Sequence, residues 1–137
     1  MTYRDQRGSA VLEVLILGLV LLVPLIWLLG VLAEMHRAAL ATNAAAREVG
    51  WELTRAVAGS EADLDPIVVT AFADHGLDPL GARVTWQGSV GRGGVVEVRA
   101  RYPVRVASFP LLGTLSQPVI WLSAVQRARI PSHRSDG

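Results

Sequence analysis

Few residues in this chain combine type and spacing in a way that suggests chemistry, and the first is Glu13. It stands directly ahead of residues 14–33, an apolar run without one charge, and just behind the small pair Gly8-Ser9. A carboxylate at the edge of a membrane-length apolar helix costs about 1–3 kcal/mol unless something compensates it, so its default reading is functional. The plainer reading is a glutamate that favours the helix N-terminus through the macrodipole. Elsewhere the chemistry is thin. His36, His75 and His133 share no ligand-like spacing, and His75 reads as a residue of a last helical turn. Asp63-Leu64-Asp65 has two carboxylates but not the rest of a calcium loop, and suits helix capping. The glycines of GSVGRGG, 88–94, do not follow a strand and open a helix, so they mark a hairpin rather than a phosphate cradle. Ser116 lies in GTLSQ, which is not a nucleophile elbow. The row Arg99, Arg101, Arg105 is a solvated strand face or a surface for an acidic partner or lipid head groups. No catalytic residue, metal ligand or cofactor site is expected, and an enzyme is not expected.

The chain has 137 residues, 51% of them apolar, and a net charge of +1. Once the apolar run is set aside, there is room for one small domain. A nearly neutral chain argues against nucleic acid as a partner and against a polybasic lipid anchor. Cysteine is absent, which excludes disulfides, thiolate zinc sites and cysteine nucleophiles. Packing, or partner subunits, must hold the domain together.

The elements that position these residues follow from periodicity. Residues 14–33 are long enough to cross a hydrocarbon core of roughly 30 Å as a helix, and the run is about twice the length of a secretory h-region of roughly 7–15 residues. A retained membrane helix over 9–33 is therefore expected, behind a short polar leader at 1–8. Pro24 loosens or kinks it; Trp27 suits either the lipid core or a partner helix. No turn signal follows, and residues 34–58 are rich in helix formers. Met35, Ala39, Thr42, Ala46, Val49, Leu53 and Ala56 make one apolar stripe. The expectation is one continuous helix over 9–58, its first half in lipid and its second half, 34–58, standing above the membrane, closed by Gly59-Ser60. The small residues from Ala38 to Ala46 permit close approach of another helix, or serve the chain's own head. A second helix is expected over 61–75, started by Ser60 with Asp63 or, one turn later, by Asp65-Pro66, and stopped by Gly76. LDPLG, 77–81, is a turn.

From Ala82 the period is two. Strands are expected over 83–87, over 96–106 with Val96, Val98, Ala100, Tyr102, Val104 and Val106 on one face, and over 119–127. Pro103 places the middle strand, or its second half, at an edge, or marks a bulge. The stretch 108–118 is a loop and the chain from 128 a flexible tail. The fold class is α+β: a long N-terminal helix, a short helix and a small antiparallel sheet of about three strands, the head occupying 59–127.

Arg7-Gly8-Ser9-Ala10-Val11-Leu12-Glu13, leading straight into the apolar run, resembles the type IV prepilin signal. More narrowly, the chain resembles the TadE-like pseudopilins of tight-adherence (Flp-type) pilus systems. The likeness covers RGSAVLE, the uninterrupted run, and Ala44-Ala45-Ala46-Arg47-Glu48-Val49-Gly50, which is similar to that family's Ala-Ala-Arg-Glu-Gly-type signature. Beyond Gly59 only the layout is similar. Val14 departs from the pattern, since pilins and many relatives carry an aromatic residue there.

The resemblance implies a pilin-like fold and cleavage between Gly8 and Ser9 by a membrane aspartyl prepilin peptidase, with Glu13 as the carboxylate of processing and assembly. The spacing suits this, because a new Ser9 ammonium could be neutralised in low dielectric by a Glu13 one turn along a neighbouring subunit. Ala44, Ala45, Ala46, Arg47, Glu48 and Gly50 would be helix-packing positions. The implied partners are the prepilin peptidase, other pilins or pseudopilins, platform proteins of the pilus system and membrane lipid, with no small-molecule substrate. The implied location is the inner membrane of a bacterium, N-terminus cytoplasmic and head outside. The alternative is an uncleaved, signal-anchored binding domain of the cell envelope.

Overall fold

The computed structural model describes residues 5–56, 63–107 and 117–132. Gly59-Ser60, most of the expected 108–118 loop with Ser116, His133 and the first residues of the leader lie outside that range. The apolar run and the Ala-rich segment form one unbroken helix, α1, Asp5–Arg55, which passes through Pro24. Its 51 residues give a length of about 75 Å. It is long and apolar enough to cross a membrane, and none of its most apolar stretch is buried by the rest of the chain.

The short helix α2 runs Asp65–Ala73. Of the two sequence starts, the later one applies: Pro66 sits in the first turn, where its missing N–H loses no helical bond. Asp63 Oδ1 accepts the Asp65 N–H at 3.3 Å. The far end is a Schellman motif on Gly76, whose φ is +68°. The Leu77 N–H reaches the Phe72 carbonyl at 3.0 Å and the Gly76 N–H that of Ala73 at 2.9 Å. His75 closes the same turn, its Nδ1 donating to the Ala71 carbonyl at 2.8 Å. Asp78 then caps a 3-10 turn, Pro79–Gly81, through the Leu80 N–H.

Three antiparallel strands follow in the order β1 (Arg83–Gly88), β2 (Val95–Arg105), β3 (Val119–Arg129). The β2–β3 register is unbroken from Val95↔Arg129 to Arg105↔Val119, so there is no bulge. β1 stops at Arg83↔Arg101, which leaves the second half of β2, with Pro103, bonded on one side only. A proline there forfeits no ladder bond to β1. In the β1–β2 hairpin Gly88 has φ +129°, and a side chain at that position would collide with the Val95 carbonyl.

The sheet and α2 pack on the second half of α1. Phe72, Leu77, Tyr102 and Val104 close on Ala38, Ala41 and Ala45. Val96, Val98, Ala100, Ala124 and Ile130 close on Ala46, Val49 and Leu53. The fold is thus α+β as expected, with the bounds of the head shifted. Residues 35–55, expected as a helix extension beside a head over 59–127, form a layer of the head's core, so the Ala-rich stripe serves the chain's own head. The head also continues past 127: β3 reaches Arg129, Ile130 is buried, and its N–H donates to the Gly94 carbonyl at 2.9 Å. The expected tail from 128 therefore begins too early, because Ala128 pairs with Val96 in the sheet and Ile130 is buried in the core.

Candidate functional site

Ser9 and Glu13 are four residues apart inside α1, so they share one face of the helix. Around Glu13 that face is made by Leu12, Ile16, Leu17 and Val20. Glu13 is exposed, and no side chain among the described residues pairs with it. A β-carbon added at Gly8 would meet nothing within 4 Å, and Gly8 has no positive φ. Glycine inside a helix is less favourable than alanine by about 1 kcal/mol. Among the described residues, nothing in the packing requires a glycine there. Gly18 and Gly30 are open in the same way.

Of the seven residues of the Ala-Ala-Arg-Glu-Gly-like stretch, Ala45, Ala46, Val49 and Gly50 are buried, Ala44 is half-buried, and Arg47 and Glu48 face outward. The small side chains let the sheet and α2 come close to α1, so the packing seen here is helix on sheet and helix on helix within one chain. Thr42, among them, satisfies its hydroxyl by donating to the Ala38 carbonyl at 2.6 Å. The added β-carbon at Gly50 would sit 3.6 Å from Gln126 and 3.8 Å from Ala128, which is ordinary contact. Gly50→Ala should therefore leave the chain folded and raise its stability by about 0.5–1 kcal/mol. Chemical denaturation of the full chain in detergent checks this.

Trp27, left between lipid and a partner helix by the sequence, has a partner within the chain: its indole N–H donates to the Ala107 carbonyl at 3.0 Å. With Gly30, Val31 and Glu34 it walls a cleft of about 200 Å³ against Val104–Ala107. No local pattern signals this bond, since its two ends lie 80 residues apart.

The outer face of the sheet is more basic than the row Arg99, Arg101, Arg105 alone. The register adds Arg83 from β1 and Arg127 and Arg129 from β3 to the same face. Glu97 is the carboxylate among them. It accepts from Arg127 Nε at 2.9 Å and from Arg99 at 3.4 Å. The Arg127 hydrogen bond holds the Glu97 carboxyl below the usual carboxylate range, with the charges of Arg127 and Arg99 adding to it. Arg83 lies over the Trp121 ring, 5.7 Å from its centroid. On the inner face, burial pushes the Tyr102 phenol up, and the Asp78 and Glu34 carboxylates push in the same direction. Aligning the hairpins by their period of two would have found the three added arginines.

Comparison with protein-family models, with curated proteins and with solved structures returns no match.

Proposed function

We propose that this chain is a single-pass inner-membrane protein of the TadE-like pseudopilin kind, cut between Gly8 and Ser9 by a prepilin peptidase. Its work is assembly of a tight-adherence (Flp-type) pilus or related secretion system, not catalysis. The observation that carries the reading is Gly8. The helix would be better formed with alanine there, no neighbour among the described residues needs the space, and φ is not positive. A residue that the fold does not explain, set one residue ahead of Ser9 and five ahead of Glu13, is what a cleavage subsite outside the chain would select.

Glu13 supports the same reading. It is an exposed carboxylate on an otherwise apolar face, with no partner among the described residues, and in lipid a charge needs one. The new ammonium of Ser9 on a neighbouring subunit would provide it. The membrane reading itself rests on the length and composition of α1. The N-terminus is cytoplasmic in this account because prepilin peptidases cut on that side.

N-terminal sequencing of the protein from native membranes tests the proposal. Wild type should begin at Ser9. Gly8→Ala should abolish that start while leaving the helical content of the chain unchanged or slightly raised. A start at Met1 in both would sink the processed reading and leave an uncleaved, signal-anchored envelope domain.

A further inference from the structure

The apolar run and the head overlap along α1. β2 descends the helix: Val96, Val98 and Ala100 pack at the level of Ala46 to Leu53, and Tyr102 and Val104 at Ala38 to Ala45. Val104–Ala107 lie against Trp27, Gly30, Val31 and Glu34. Among the described residues, the contact of the head nearest the N-terminal end of α1 is at Trp27, while the uncharged run continues to Ala33. Those last residues amount to about 10 Å of helix. On the side away from the head, Leu28, Leu29 and Leu32 are more than half exposed. If the bilayer covers them, it reaches the lower end of the head.

That end has the composition such a position requires. Its strand ends carry Val119, Ile120 and Trp121, all exposed, with Trp121 at 52%. Beside them Leu80, in the 3-10 turn next to Pro103, is 92% exposed, far more than a lone surface leucine needs to be. Arg83 lies over Trp121, and Arg105 pairs with Val119 at the foot of β2. Tryptophan with flanking arginine is the pairing that suits a bilayer interface: ring at the headgroup level, guanidinium reaching phosphate.

We infer that the lower rim of the sheet, Leu80, Val119, Ile120 and Trp121 with Arg83 and Arg105, is a lipid-binding surface seated in the phospholipid headgroup layer. The Trp27–Ala107 hydrogen bond fixes its height on the helix. This rests on the membrane-spanning reading of α1 above, and adds that the head is in contact with the bilayer rather than held clear of it.

The chain has no cysteine, so single-cysteine variants need no prior substitution. Nitroxide labels would be placed at Leu80→Cys and Ile120→Cys on the rim. Leu19→Cys reports on the apolar run, and Gln87→Cys on the opposite end of the sheet. The full chain would be reconstituted in vesicles of phosphatidylethanolamine and phosphatidylglycerol, and relaxation by dissolved oxygen compared with that by an aqueous nickel chelate. Expected is oxygen access at both rim labels with nickel access several-fold below that at Gln87. Nickel access at both rim labels equal to Gln87, with Leu19 protected, would overturn the rim proposal and leave the membrane span standing. Rim labels closed to both relaxants would overturn it too, because protein and not lipid would then be the cover. Nickel access at Leu19 would remove the span, and the rim proposal with it.

Discussion

Phe72→Ala should lower the unfolding free energy of the head by about 3–5 kcal/mol, the range for removing a fully buried aromatic ring. Phe72 is the largest side chain with essentially no solvent exposure among the described residues. Its ring stacks on Tyr102 with centroids 4.9 Å apart and planes 22° from parallel. It also joins α2 to α1 through Ala38, Ala41 and Ala45, none of which can grow to fill the space. Alanine would leave a hole bounded by small residues and by a Tyr102 without its stacking partner. α2 has nine residues, too few to persist as a helix without packing. The expected result in denaturant is a lower midpoint with an unchanged slope, and hydrogen exchange that quickens first over residues 65–77. A midpoint shift below that of an ordinary surface substitution would mean α2 is not held by this ring.

The second large effect runs the other way in volume. Ala45→Leu inserts a branched side chain at a position with no exposure, where α1 meets both the sheet and α2. Overpacking of this kind costs about 1–3 kcal/mol and sometimes more. Ala45 shares its cluster with Phe72, Tyr102 and Val104, themselves buried, so a larger side chain must displace them. Leucine is otherwise an excellent helix former. The prediction therefore separates two roles for the Ala-rich stretch: full helical content with a destabilised head if the alanines serve close packing in the chain, and an unchanged head if they serve only as helix formers. Thermal unfolding followed by tertiary signals from the tryptophans distinguishes the outcomes.

Much of this fold could be read from the sequence because its signals are local and periodic. The alternation of Val96, Val98, Ala100, Tyr102 and Val104 names the inner face of β2 residue by residue. Gly76 ends α2 where glycine's tolerance of positive φ predicts, and Pro103 stands where one edge of β2 is free. The stripe drawn on the second half of α1 was set slightly off. Thr42, Ala46, Val49 and Leu53 are buried as expected, but Ala38, Ala41 and Ala45 are too, and Met35, Ala39 and Ala56 only partly. Alanine carries so little hydrophobic contrast that periodicity cannot choose between adjacent faces in a run of them. The end of β3 was missed for a related reason: Gln126, Ala128 and Ile130 share a face, and a polar residue at its start disguises it. The Trp27–Ala107 bond and the height of the head on the helix arise from tertiary contact across 80 positions, which no local pattern encodes. At the candidate site, Gly8, Ser9 and Glu13 are singled out by sequence spacing alone. What the structure adds is that Gly8 answers to no neighbour among the described residues.

Because α1 is one uninterrupted helix, the head and Glu13 share a single axle. Counting at 3.6 residues per turn, Glu13 lies about 3.9 turns before Trp27, 6.9 before Ala38 and 8.9 before Ala45. All three are close to whole turns, so the carboxylate points to the side on which the head is mounted. The sheet thus marks the side of the helix on which a carboxylate stands at the far end of the apolar segment. Whatever turns the head turns the carboxylate by the same angle, and one residue added between them would swing Glu13 by about 100°.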